Sequence, residues 1–279
     1  MENQTSVTPA YTPEGDELPS DLVKVHRVQT SGSNSEYIHL GGKTYLKSDL
    51  MYAFGGNFNP GVTTAPRLKL GNPTPMGLFA FASTTLILSF INAGSRGVEN
   101  HNIVLSCAIF YGGMVQIIAG IWELVVENTW GATVFTAYGG YWISFATITM
   151  DGFNIASSYT DEKEYSNAMG LFLLVWAIVT AFFTVCTLRS TIAMFSLLFF
   201  VTLTFTTLAC EQFTAANGTE TVSANFRIAG GVFGCIASML AYYNAMAGLM
   251  NRGNSWIDVR PFYMPGAIRP PPKDKSRDA

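Results

Sequence analysis

Long apolar runs alternate with short polar breaks along most of the chain. After a polar lead, six apolar stretches cover about residues 75–93, 102–126, 132–150, 168–188, 191–210 and 226–250. Each is near the roughly 20 residues that cross a hydrocarbon core as a helix. The pattern predicts an all-α, polytopic membrane protein, with six transmembrane helices inside residues 71–250. The first stretch opens with Asn72-Pro73-Thr74-Pro75-Met76-Gly77-Leu78-Phe79-Ala80-Phe81. Its two prolines fall in a first helical turn, where backbone N–H groups have no intrahelical partner. Asn72 stands where an N-cap belongs. The breaks at Glu127-Asn128-Thr129 and Arg189-Ser190 are tight, whereas those after the first, third and fifth stretches read as longer and more polar. That alternation predicts paired helical hairpins.

The flanks differ from this core. Residues 1–70 form a polar tail that reads as disordered up to about Ser35. From 36 to 61, Tyr37, Ile38, Leu40, Tyr45, Leu46, Leu50 and Phe54 supply apolar anchors between glycine pairs. This predicts a short structured collar lying on the helix bundle. Residues 251–279, with Pro270-Pro271-Pro272 and mixed charges, read as a disordered cytoplasmic tail.

Composition agrees with a membrane protein. Hydrophobic residues make up 49% and charged residues 13%, about half the charge of a soluble domain. The net charge of −3 gives no basic face for nucleic acid. Cys107, Cys186, Cys210 and Cys235 lie in or beside apolar stretches, with no CxxC, and read as small buried hydrophobes. The polar N-terminus carries no leader pattern, so the first apolar helix is expected to act as the insertion signal. Arg67, Lys69, Arg189, Arg252 and Arg260 share one side if both termini are cytoplasmic. Arg96, Lys163 and Arg227 fall on the other, with the sequon Asn217-Gly218-Thr219. A multi-pass plasma-membrane protein with both termini inside is expected.

Catalytic patterns are missing from the sequence: no HExxH, GxSxG, P-loop or paired intramembrane aspartates. His26, His39 and His101 all lie outside the predicted spans. The expectation is a pore or carrier for a small solute, not an enzyme, with no cofactor and no metal. Glu123 is the ionisable group nearest the core. A charge at depth faces a cavity or a partner, so Glu123 handles protons or shapes the pore mouth, or else serves as a boundary or intersubunit hydrogen-bonding residue. Ser83, Thr84, Thr85, Gln116, Thr133, Thr136, Ser144, Thr147 and Thr202 supply hydroxyls and amides. Such donors hold a small anion without a fixed cation, and the helix start at Asn72 adds free N–H groups. Asn72, Thr84, Thr85, Gln116 and Glu123 are the substrate-binding candidates. Helix–helix hydrogen bonding is the competing role for each threonine. Phe81, Thr84, Thr85 and Leu88 share one helical face, placing a large ring beside two hydroxyls. Gly230 and Gly234, with the Ala237, Ala241 and Ala245 ridge, mark close helix packing within or between protomers.

The opening motif, Asn72 to Leu78, resembles the NPAPLGL signature of the acetate uptake transporters. These comprise bacterial succinate–acetate permeases and fungal acetate permeases, some described as ammonia exporters. The resemblance continues through Phe110-Tyr111-Gly112-Gly113, Gly120-Ile121-Trp122-Glu123, Asn128-Thr129-Trp130-Gly131-Ala132-Thr133 and Tyr138-Gly139-Gly140-Tyr141-Trp142. Ala53-Phe54-Gly55-Gly56 to Asn59-Pro60-Gly61 is similar to the fungal branch. Thr74 and Met76 depart mildly from the signature. The resemblance implies a six-helix protomer in a hexameric ring, each protomer with its own path for acetate and related short monocarboxylates. It also implies an apolar constriction made by Phe81, Tyr138 and a residue of the fifth helix. Val201 aligns at that third place, where the family has Leu, and Leu203 lies two residues on. Proton coupling is expected from the cost of burying a bare carboxylate at an apolar neck. Export of ammonia or ammonium, or a neutral small-solute channel, is the alternative. A sensor or scaffold role using the tail is a third reading.

Overall fold

The structure is a computed structural model. It describes residues 29–33, 35–40, 42–53, 70–250, 253–257, 259 and 261–267. The chain divides into two units, Met1–Lys69 and Leu70–Ala279.

In the first unit, strands β1 (Gln29–Ser31), β2 (Tyr37–Leu40) and β3 (Lys43–Leu46) form an antiparallel sheet in that order, followed by helix α1 (Lys47–Ala53). Thr30 pairs with Ile38, and Ile38 with Tyr45. His39 ties the strands through its ring: Nε2 is 2.8 Å from Ser31 Oγ and Nδ1 is 3.0 Å from Thr44 Oγ1. The disorder expected up to Ser35 is therefore corrected at Gln29–Ser31, whose backbone pairs with β2 despite its polar side chains. The collar read over 36–61 is a hairpin and a short helix as far as Ala53; residues 54–61 lie outside the described residues, as do His26, Arg67, Lys69, Arg252, Arg260 and the prolines at 270–272.

The second unit is helical. Its elements are α2 (Thr74–Asn92), α3 (Asn102–Ile109), a π-helical turn (Phe110–Val115), α4 (Gln116–Val125), α5 (Thr129–Thr149), α6 (Glu162–Cys186), α7 (Ile192–Ala216) and α8 (Glu220–Leu249). The π turn joins α3 and α4 into one continuous rod. Among the described residues, five helices are long and apolar enough to cross a membrane: Thr74–Asn92, Asn102–Val125, Glu162–Cys186, Ile192–Ala216 and Glu220–Leu249. Helix α5 has comparable length, but threonine, glycine, tyrosine and tryptophan make it less apolar.

Three boundaries move. Helix α6 starts at Glu162, where the Asp161 side chain accepts from Lys163 N at 2.9 Å. Helix α7 runs to Ala216 and α8 starts at Glu220. Hydropathy marks where a segment becomes apolar, whereas a capped helix begins in polar sequence. The break after the fifth stretch is thus a tight turn over 217–219, not a long loop. Gly218 takes φ 72° there, and Thr219 Oγ1 donates to Thr214 O at 2.8 Å.

Helix α2 lies against α8, α4 and the π turn, while α7 packs between α6 and α8. Small residues set these approaches. A Cβ at Gly231 would stand 2.5 Å from Ala93 N and 2.8 Å from Ser89 O, and one at Gly234 would strike Ser89. Ala237, Ala241 and Ala245 are fully buried. Gly230 rests on Leu208 of α7. The small-residue ridge of α8 is therefore used within the protomer. On the other flank of α2, Gly112 of the π turn accepts Thr84, whose Oγ1 would be 2.8 Å from any Cβ there.

Glu123, at 1% exposure, ties three helix ends together. Thr74 Oγ1 at the start of α2 donates to its Oε1 at 2.5 Å, and Asn128 Nδ2 donates to its Oε2 at 2.6 Å. Asn128 Oδ1 in turn accepts from Gly131 N at 3.1 Å, capping α5. Helix α4 closes just after, with Glu127 at φ 64°.

Gly231→Val should lower the thermal unfolding midpoint of the detergent-purified protein, since α2 backbone cannot yield; overpacking of this kind costs about 1–3 kcal/mol. Gly140→Ala is the control, because nothing lies within 4 Å of the added carbon, and it should leave the midpoint unchanged or slightly raised. Glu123→Ala should also lower the midpoint, by about 1–3 kcal/mol for each buried donor it strands.

Candidate functional site

Aromatic side chains close the middle of the bundle. Phe81 of α2 and Tyr138 of α5 meet with ring centroids 5.3 Å apart and planes inclined at 45°. Both are buried. The Tyr138 hydroxyl donates to Thr180 Oγ1 of α6 at 3.1 Å, and Phe183 packs edge-on against the ring at 6.0 Å. One turn along α5, Tyr141 meets Phe205 at 4.9 Å and Trp176 at 5.1 Å. Val201 is buried in the same apolar cluster. Leu203 is half-buried and lies outside that cluster. Two residues along a helix turn a side chain by about 200°, which sets the two on opposite faces of α7.

A first cavity, here the proximal one, opens near the start of α2 and reaches Phe81 and Tyr138. It encloses about 430 Å³ of empty space, mouth included, and its walls include Leu78, Val134, Phe135, Leu197 and Leu198. Its polar groups are Thr74, Gln116, Asn128 and Trp130. Thr74 and Asn128 are already engaged by Glu123. Gln116 is completely buried, and neither its amide nitrogen nor its oxygen has a partner among the described residues. The Trp130 indole N–H is also buried without one. Unpaired buried polar groups are costly and rare, and they mark places where something else binds. The π turn accounts for the position of Gln116. Its wider winding shifts the phase of α4 against α3, and such turns concentrate at functional sites.

A second, distal cavity lies at the other end of α2, with about 790 Å³ of space when the open solvent at its mouth is included. Leu88, Asn92, Tyr141, Leu173 and Leu208 form part of its wall, and His101, Glu211, Gln212 and Arg227 its charged and polar rim. His101 Nε2 lies 2.9 Å from Asn92 Oδ1. A carbonyl oxygen only accepts, so Nε2 carries the proton. Gln212 Nε2 donates to Glu211 Oε2 at 2.6 Å. Arg227 Nε is buried with no partner among the described residues. Burial, and secondly the Arg227 charge, hold the His101 pKa below the ordinary histidine value.

The predicted residues separate into groups. Phe81, Tyr138 and Gln116 come together on the proximal cavity. Glu123 stands behind its wall, positioning Thr74 and Asn128. Asn72 is exposed and accepts from Thr74 N at 3.2 Å; the residue directly capping α2 is Pro73. Thr84 Oγ1 donates to Ala80 O at 2.9 Å, and Thr85 Oγ1 is buried without a partner among the described residues. Neither threonine, nor Val201 or Leu203, borders the two cavities. Sequence reasoning missed Trp130, Leu197 and Leu198, and the whole distal set. Trp130 sits in a quoted motif, so a signal existed. His101 and Arg227 carry none, because they are far apart in sequence and only the packing of the helices brings them to one cavity.

Known proteins bear on this arrangement. Residues 54–266 match the model of the GPR1/FUN34/yaaH family. The chain is 42% identical over 225 residues to acetate permease A of Emericella nidulans, covering 78% of this chain and 75% of that one. It is 45% identical over 240 residues to ammonia transport outward protein 2 of Saccharomyces cerevisiae, covering 86% and 83%. The solved structure of the bacterial acetate channel SatP superimposes with a TM-score of 0.58 at 29% identity, covering 69% of this chain and 100% of that one. The family match takes in the neck, both cavities and every helix from α2 to α8, and the chain belongs to the GPR1/FUN34/yaaH family, the acetate uptake transporters.

Proposed function

We propose that this protein carries acetate and related short monocarboxylates across the plasma membrane, coupled to protons, along a path within each protomer of a homohexamer. The path runs from the proximal cavity past Phe81, Tyr138 and Val201 to the distal cavity. Helix α5 serves as the sixth span, shielded by its neighbours. Both termini face the cytoplasm, so the proximal cavity opens inward.

The observation that carries this reading is Gln116, fully buried and unbonded beside the neck. Its amide N–H and the Trp130 indole N–H offer two donors to the two oxygens of a carboxylate. A bare carboxylate stalls at an apolar constriction, because burying an unpaired charge is costly. Donors at the neck and a proton travelling with the anion both lower that cost. The similarity to acetate permease A and to SatP supports acetate as the substrate. The similarity to ammonia transport outward protein 2 supports a second reading, export of ammonia. Competition by acetate for the same path separates the two.

The central test is acetate uptake into liposomes holding the purified protein, against protein-free liposomes, with and without an imposed proton gradient. Protein-dependent uptake should rise when the outside is acidified; ammonium flux without acetate flux would overturn the reading. Phe81→Ala should increase passage of a bulkier acid such as butyrate relative to acetate by on the order of tenfold, as expected from lowering a steric barrier by about 1.4 kcal/mol. Unchanged size selection would remove Phe81 from the neck. Gln116→Leu should split stability from activity. Losing an unpaired buried amide should raise the unfolding midpoint, while acetate uptake falls by about tenfold or more, the worth of a hydrogen bond to a charged group.

A further inference from the structure

We propose that the distal cavity is a carboxylate-binding site in its own right, in which Arg227 holds the anion and His101 adds a second positive charge when protonated. This rests on the carboxylate reading above, and it names a site and a cation outside the neck.

The cavity contains a half-buried cation, Arg227, whose Nε is buried without an acceptor among the described residues. A guanidinium presents planar, paired donors that match a carboxylate edge to edge. The nearby carboxylate, Glu211, accepts the Gln212 amide at 2.6 Å and also feels the Arg227 charge, so an entering anion shares Arg227 with it. An entering acetate oxygen would satisfy the Arg227 donor, and the apolar wall of Leu88, Leu173 and Leu208 suits its methyl group.

His101 is the titrating part. The groups bordering the cavity with it are Arg227 from α8, Glu211 from α7, Tyr141 from α5 and Tyr165 from α6, while Asn92 from α2 fixes its tautomer. With His101 neutral and Glu211 ionised, Arg227 and Glu211 balance. A proton on the free Nδ1 leaves the site one positive charge in excess. Burial and Arg227 resist that proton, and a bound anion relieves the second of these. Acetate and the proton therefore help each other bind, by the same factor in each direction. Acetate affinity rises as pH falls through the range where His101 titrates.

The test uses the full chain in nanodiscs, in a Gln116→Leu background that silences the proximal donors. Sodium acetate is titrated at about pH 5.5 and about pH 7.5, either side of the ordinary histidine value of roughly 6.5, with acetamide as the neutral isostere. Binding is read by calorimetry, and the His101 ring by histidine-labelled NMR, assigned with His101→Gln. Acetate should shift the His101 signal and bind about tenfold tighter at the lower pH, a coupling of ordinary size; acetamide should do neither. His101→Gln should bind acetate with no such pH dependence. Arg227→Gln should lose binding at both pH values, with Arg227→Lys intermediate. A His101 signal indifferent to saturating acetate in the otherwise native protein overturns the site whatever the variants do. Acetamide binding as well as acetate overturns it too. Liposome uptake of the unsubstituted protein is measured in parallel: binding without uptake would leave the site standing and remove the transport reading, and uptake without binding would do the reverse.

Discussion

Helix α2 is held between two glycine surfaces, and the remaining arrangement depends on that confinement. Gly231 and Gly234 of α8 bring one backbone against Ser89 and Ala93, and Gly112 of the π turn receives Thr84 on the other flank. Packing this close substitutes for a hydrophobic drive, since lipid tails solvate an apolar helix as well as another helix does. It also fixes where Phe81 points. A helix free to rotate by a few tens of degrees would not keep that ring 5.3 Å from Tyr138.

Polar groups inside the bundle mostly follow one rule. Most hydroxyls bond back to the carbonyl four residues earlier, as Thr84, Thr136, Thr184 and Ser238 do. Glu123 obeys the rule on a larger scale by joining three helix ends. Among the described residues the exceptions are Thr85 Oγ1, the Gln116 amide, the Trp130 and Trp142 indole nitrogens and Arg227 Nε. Gln116 and Trp130 border the proximal cavity and Arg227 the distal one, whereas Thr85 and Trp142 border neither.

Much of this was legible in the residues. Apolar length located every helix of the second unit, and the prolines after Asn72 placed the start of α2 to within a residue. Phe81, Gln116 and Tyr138 were named from residue type and motif. Helix ends in polar sequence were not legible, because capping by Asp161 continues a helix where hydropathy has already fallen. Arg227 lay at the edge of the sixth predicted stretch, and what hid its role is that its cavity partners His101 and Glu211 come from elements far apart in sequence. Glu123 was found by its charge, but its partners Thr74 and Asn128 depend on how three helix ends converge. The strand at Gln29–Ser31 was masked by polar composition, since its stability lies in backbone pairing and a shared imidazole.

The π turn between α3 and α4 has a consequence of another kind. A regular helix would carry the side chains of 110–125 around in step with those before them, and Gln116 would be directed by the same periodicity that sends its neighbours to the lipid. The wider turn breaks that step once. The orientation of the amide is therefore stored in the number of residues that precede it rather than in their identity. Substitutions in Phe110–Val115 that keep the wide turn leave Gln116 facing inward, while a change in chain length there would redirect it without altering a single residue of the cavity wall.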